Sequence, residues 1–71
     1  MLDKNAFKAA IVGHGDRQED LAQALGMSPA TLSAKINGTQ DFRRHEIERI
    51  ATRYNLTIQE AGRIFFTDIV A

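Results

Sequence analysis

The tetrapeptide GMSP, residues 26–29, constrains this chain more than any other stretch. Before it, Leu21, Ala22 and Leu25 recur at helical spacing. Gly26 then stops the pattern, because glycine tolerates the left-handed conformation that closes helices. After it, Ser28 is a good N-cap and Pro29 suits the first helical position, where a missing N–H leaves nothing unsatisfied. Leu32 and Ile36 continue as an i, i+4 apolar seam. Gly26 lies only two residues ahead of the Ser28 cap, and a connection that short forces the two helices to cross steeply.

The same local rules predict three more helices and no strand. The first runs roughly from Lys4 to Val12 behind an Asp3 N-cap, with Phe7, Ala10 and Ile11 on one face. Gly13–Gly15 ends it. The second opens in DRQE, where Asp16 and Glu19 have the spacing of a reciprocal capping box. The third ends at Asn37-Gly38. The fourth runs from about Arg44 to Tyr54, with Ile47, Ile50, Ala51 and Tyr54 in helical register and Asn55 at its C-terminal end. The fifth opens with TIQE, a capping box from Thr57 to Glu60, with Leu56 and Ala61 at staple positions. Ile64 and Phe65 continue its buried face. The expectation is an all-α, five-helix domain covering residues 1–71, with a thin core for its size.

Composition narrows the function. There are no cysteines, which excludes a disulfide scaffold or a Cys-based zinc site and suits a reducing cytoplasm. His14 and His45 have no partners at metal-ligand spacing, and no Ser/His/Asp set or glycine-rich phosphate loop is present. The expectation is a cytoplasmic protein that is not an enzyme, with no cofactor, metal or small-molecule ligand. No apolar run reaches the length of a membrane span. Formal net charge is zero, from nine Lys+Arg and nine Asp+Glu. The charge is uneven, however. Residues 27–45 hold Lys35, Arg43 and Arg44 against Asp41 alone, so a basic face is expected around the third helix.

QEDLAQALGMSPATLSAKING resembles the helix-turn-helix of the lambda repressor and Cro-like (Xre) family, small prophage-encoded members above all. The matching residues are Gln18, Leu21, Ala22, Gly26, Ser28, Thr31, Leu32, Ser33, Asn37 and Gly38. The back half, DFRRHEIERIATRYNLTIQEAGRIFF, is similar to the Phe, Glu-Ile-x-x-Ile and Ile-Phe-Phe features of the same regulators. Three positions depart from the pattern. Arg17 stands in place of a Thr cap, which assigns the cap to Asp16. Lys35 replaces an apolar residue and is expected at the helix flank. Arg43 and Arg44 replace a Thr/Ser-plus-apolar helix start.

The resemblance implies a repressor-like transcription regulator that binds double-stranded DNA as a homodimer, with the helix at 29–37 in the major groove. Pro29, Ala30, Thr31, Ser33 and Ala34 then face the bases. None of these makes the bidentate pairs by which Arg or Gln reads a base, so modest specificity per half-site is expected. Gln18 is the leading phosphate contact, followed by Arg17, Ser28, Lys35, Asn37, Thr39, Gln40, Arg43 and Arg44. Three cations per protomer predict a log–log salt slope of about −5 for a dimer. Phe65 belongs to the core by spacing from Ile58 and Ala61. Phe66, Ile69 and Val70 exceed what one face can hide and are candidates for a twofold interface. The alternative is a protein-binding adaptor, antirepressor or antitoxin-like module on the same fold, which has no need of the basic cluster.

Overall fold

The computed structural model describes residues 2–66. The candidates Ile69 and Val70 lie outside them. Five helices follow in order: α1 (Lys4–Gly13), α2 (Gln18–Leu25), α3 (Pro29–Ile36), α4 (Arg44–Arg53) and α5 (Ile58–Phe65). The described residues contain no strand.

Helix starts follow the predicted caps at three of five positions. The Asp3 carboxylate accepts the Ala6 amide at 3.0 Å. Ser28 Oγ accepts the Thr31 amide at 3.1 Å, with Pro29 at the first helical position. Thr57 and Glu60 form the reciprocal box, at 2.9 and 3.1 Å. The ends of α1 to α4 share one device. An amide two residues past α2, and three residues past α1, α3 and α4, bonds back five residues, as in Met27 to the Ala22 carbonyl (3.0 Å) and Leu56 to Ala51 (2.9 Å). That closure needs a left-handed residue, supplied by Gly26 (φ 71°) after α2 and by Asn55 (φ 51°) after α4.

The start of α2 corrects the expected Asp16–Glu19 box. The helix begins one register later, with Arg17 at the N-cap and Asp20 accepting its amide at 2.9 Å. Asp16 turns instead to α4. Its oxygens accept Arg53 Nε at 2.7 Å, Arg53 Nη2 at 3.0 Å and the Tyr54 hydroxyl at 2.8 Å. A forked guanidinium and a hydroxyl together offer a carboxylate more than one local amide does. The ring of His14 stacks on Tyr54 at 4.7 Å.

This clamp carries a pH signature. Arg53 and Tyr54 hold the Asp16 carboxyl below its ordinary value of 3.8. Burial, then Asp16 itself, pushes the Tyr54 hydroxyl up. A carboxyl depressed on folding stabilises above its unfolded value, and that contribution disappears as pH falls through the folded value. Asp16→Asn is therefore expected to lower Tm at pH 7. The deficit should shrink once pH falls below 3.8, the unfolded value. Thermal unfolding of both proteins across pH checks this, and a deficit that does not change with pH would contradict it.

The core is the interior of the bundle. Phe7 and Ile11 of α1, Leu21, Ala22 and Leu25 of α2, Leu32 and Ile36 of α3, Ile50 and Tyr54 at α4, and Ile64 and Phe65 of α5 are buried. Phe7, Phe42 and Phe65 form an aromatic trio with centroids 5.3 to 5.5 Å apart. At the chain's beginning, the Asp3 amide donates to the Ile64 carbonyl at 2.7 Å, tying α1 to α5. Phe65 is in the core as its spacing predicts, but Ile58, used to set that spacing, is 92% exposed. Among the described residues, no helix is long and apolar enough to cross a membrane.

Candidate nucleic-acid interface

Packing of α3 against the bundle decides which of its residues stay outside. Leu32, Lys35 and Ile36 turn inward, and Ser28, Pro29 and Ala30 are exposed. Thr31, Ser33 and Ala34 are half-buried. Of the groove-facing candidates, Pro29 and Ala30 are therefore open to solvent and Thr31, Ser33 and Ala34 only partly so, and the most exposed part of the helix is its N-terminal turn.

The hydroxyls on this surface are partly committed. Ser28 Oγ donates to Thr31 Oγ1 at 2.9 Å while accepting the Thr31 amide. That uses the Ser28 proton and leaves the Thr31 proton for an outside acceptor. Ser33 accepts a long bond from Asn37 Nδ2 at 3.5 Å and likewise keeps its own proton.

The loop after α3 wraps onto the helix it leaves. The Ala34 carbonyl accepts the Thr39 amide at 3.0 Å, the Thr39 hydroxyl at 2.9 Å and the Gln40 amide at 3.3 Å. Both Thr39 donors are spent inside the protein, so Thr39 has none left for a phosphate oxygen. This corrects its candidacy. Asn37 and Gln40 keep exposed side-chain amides beside it.

Lys35 is the larger correction. It is 6% exposed, not at the flank. Its ammonium bonds Glu46 Oε1 at 2.6 Å and the Asp41 carbonyl at 3.3 Å, and stands 5.8 Å from the Phe42 ring centroid. An ammonium spent this way cannot reach a phosphate. Burial raises the Glu46 carboxyl, but the Lys35 bond, the Arg43 amide and the Lys35 charge outweigh it and leave the carboxyl below its ordinary value. Glu46 and Asp41 escaped the sequence reading. The available signal was spacing, since Leu32, Lys35 and Ile36 fall at i, i+3 and i+4 on one face.

The expected basic face is correspondingly smaller. Arg43 and Arg44 are exposed, and among the described residues no ion pair engages either side chain. Arg17 is exposed but paired with Glu19 at 3.0 Å and Asp20 at 3.3 Å, so it adds little net charge. Gln18 is half-buried in the first turn of α2. No hydrogen bond joins Gln18 to the α3 residues or the following loop among the described residues. None of the described His, Asp or Glu residues form a group of three able to hold a metal.

No curated protein and no solved structure matches the chain. A family model of the helix-turn-helix domain matches residues 13–63, from the turn that ends α1 to the body of α5. That span contains the packed α2–α3 pair with its short turn and the loop that folds back onto α3, and it exceeds half of the chain: this protein belongs to the helix-turn-helix domain family.

Proposed function

We propose that the protein is a sequence-specific double-stranded DNA-binding transcription regulator of repressor-like, prophage type, with α3 docked in the major groove. The observation that carries this is the exposed N-terminal turn of α3. It presents Ser28, Pro29 and Ala30 with Thr31 beside them, and no bulky side chain keeps the helix from a deep seat. Small residues favour thymine-methyl contacts, water-mediated bonds and shape readout over bidentate base pairs. Gln18, Asn37, Gln40, Arg43 and Arg44 remain the phosphate candidates, with Ser28 and Arg17 as partners whose groups are partly engaged. Phosphate contacts of this kind fix register and carry no base information.

A homodimer on a two-fold operator fits this reading, with half-sites about 34 Å apart. The apolar surface between α4 and α5 supports it. Phe66 is 40% exposed there, beside the nearly naked Ile58 and the half-buried Leu56 and Ile47.

The test is fluorescence anisotropy with duplex DNA across salt concentration. With Lys35 internal, each protomer brings to this face two cations unpaired among the described residues, Arg43 and Arg44. Each phosphate neutralised adds roughly −0.9, so a dimer's slope is about −3.6 rather than −5. A slope near zero counts against DNA. The burial of Lys35 also favours the second reading, a protein-binding adaptor, antirepressor or antitoxin-like module, because it thins the basic cluster. No binding even at low salt would decide for that alternative.

A further inference from the structure

Lys35 occupies a seat that an apolar side chain would fill without desolvating a charge. Only 7% of its side chain and 11% of the Glu46 side chain are exposed. Burying both charges is costly, and a packed apolar pair often holds a fold as well or better. What the ion pair adds is direction. Glu46 Oε1 accepts the Lys35 ammonium at 2.6 Å and the Arg43 backbone amide at 2.8 Å. The same ammonium reaches the Asp41 carbonyl. One side chain of α3 therefore holds the end of the α3–α4 loop and the N-cap of α4. The front of that loop is held separately by the Ala34 carbonyl through Thr39 and Gln40. Both anchors belong to α3, and the residues carried between and just beyond them end in Arg43 and Arg44.

We propose that Lys35 is a positioning residue for DNA binding. Through Glu46 and the Asp41 carbonyl it sets Arg43 and Arg44 at a fixed place relative to α3, so that the groove helix and the phosphate-binding arginines meet one duplex in one register. Lys35 itself touches no phosphate. The inference rests on the DNA-binding reading above.

The test is a mutant cycle read by anisotropy against salt, with Tm measured alongside. Lys35→Met with Glu46→Gln removes both buried charges, keeps the Lys35 stem and leaves an oxygen for the Arg43 amide. This double variant is expected to fold, to bind about tenfold more weakly, and to show a slope about 1.8 shallower for a dimer, as one arginine per protomer loses its phosphate. In an Arg43→Gln, Arg44→Gln background the same pair of changes should cost almost nothing further. Groups acting through one another are non-additive, whereas a merely structural defect lowers affinity in both backgrounds. Lys35→Gln with Glu46→Gln, which keeps a neutral hydrogen-bonding pair, is the milder variant, read in the same cycle if the first double variant does not fold, with a smaller loss of the same pattern expected. A folded variant with parental affinity and slope overturns the proposal. So does an undiminished loss in the arginine-free background. Failure of the parent protein to bind DNA at any salt is a different result, which removes the DNA-binding reading itself.

Discussion

Ala30→Glu is expected to abolish DNA binding while leaving the fold intact. Ala30 is exposed in the first turn of α3, and no other described side chain bonds there except Ser28 and Thr31 to each other. A carboxylate at a helix N-terminus is favourable to the helix, by about 0.3–1 kcal/mol. Exposed substitutions of this type change stability by about 0.5 kcal/mol or less. Toward DNA the sign reverses, because the new charge enters a groove walled by phosphates. Like charges brought together at an interface cost several kcal/mol. Since about 1.4 kcal/mol is tenfold in affinity, the loss should be at least about a hundredfold. Ala30→Gln, similar in size but neutral, should lose far less. Anisotropy titrations with Tm controls read both variants. Undiminished binding by Ala30→Glu would mean that DNA meets another surface, and α3 would lose its assigned role.

Phe7→Ala acts on the other side of the molecule's economy, its core. Phe7 is 0% exposed and faces Phe42 at 5.5 Å and Phe65 at 5.3 Å. It thereby joins α1 to the loop after α3 and to α5. Truncating a buried Phe costs about 3–5 kcal/mol, from lost transfer energy and from the cavity left behind. A domain of this length is stable by about 4–11 kcal/mol. The variant should thus lose about a third or more of its stability, with a urea midpoint shifted far down. Any loss of DNA affinity should follow the folded fraction, so that it recovers on cooling or with a stabilising osmolyte. A destabilisation below about 1 kcal/mol would show that the aromatic trio does not organise the core.

These two variants divide along the line between what local sequence can specify and what it cannot. The Phe7 and Ile11 face, the Leu21–Leu25 face and the Leu32–Ile36 seam are visible as helical periodicity. So are most helix ends, since a cap is a contract between residues two to five apart. That is why Ser28-Pro29, Thr57 with Glu60, Gly26 and Asn55 can be read without a structure. The start of α2 is ambiguous by one register because two boxes are spelled out there, Asp16 with Glu19 and Arg17 with Asp20. Arg53, 37 residues away, engages Asp16 and leaves the second box in place.

The candidate interface is legible in the same uneven way. That Ala30 sits on the side opposite Leu32 and Ile36, with Thr31 on the flank, follows from helix geometry alone. Lys35 did not yield to that reasoning, because its charge argued for solvent while its spacing argued for the core. Spacing prevailed only because Glu46, the Asp41 carbonyl and the Phe42 ring converge on the ammonium. Thr39 has the place of a loop donor, but the Ala34 carbonyl accepts from both its amide and its hydroxyl.

By itself, then, the sequence determined five helices, the caps of α1, α3 and α5, and the apolar faces, because each depends on neighbours within a turn or two. Only the tertiary structure decided which charges remain available. It turned Lys35 inward, clamped Asp16 to α4, left Ile58 bare and left Arg43 and Arg44 outside. The physical reason is that a charged side chain goes where its partners are, and those partners are brought close by folding rather than by sequence.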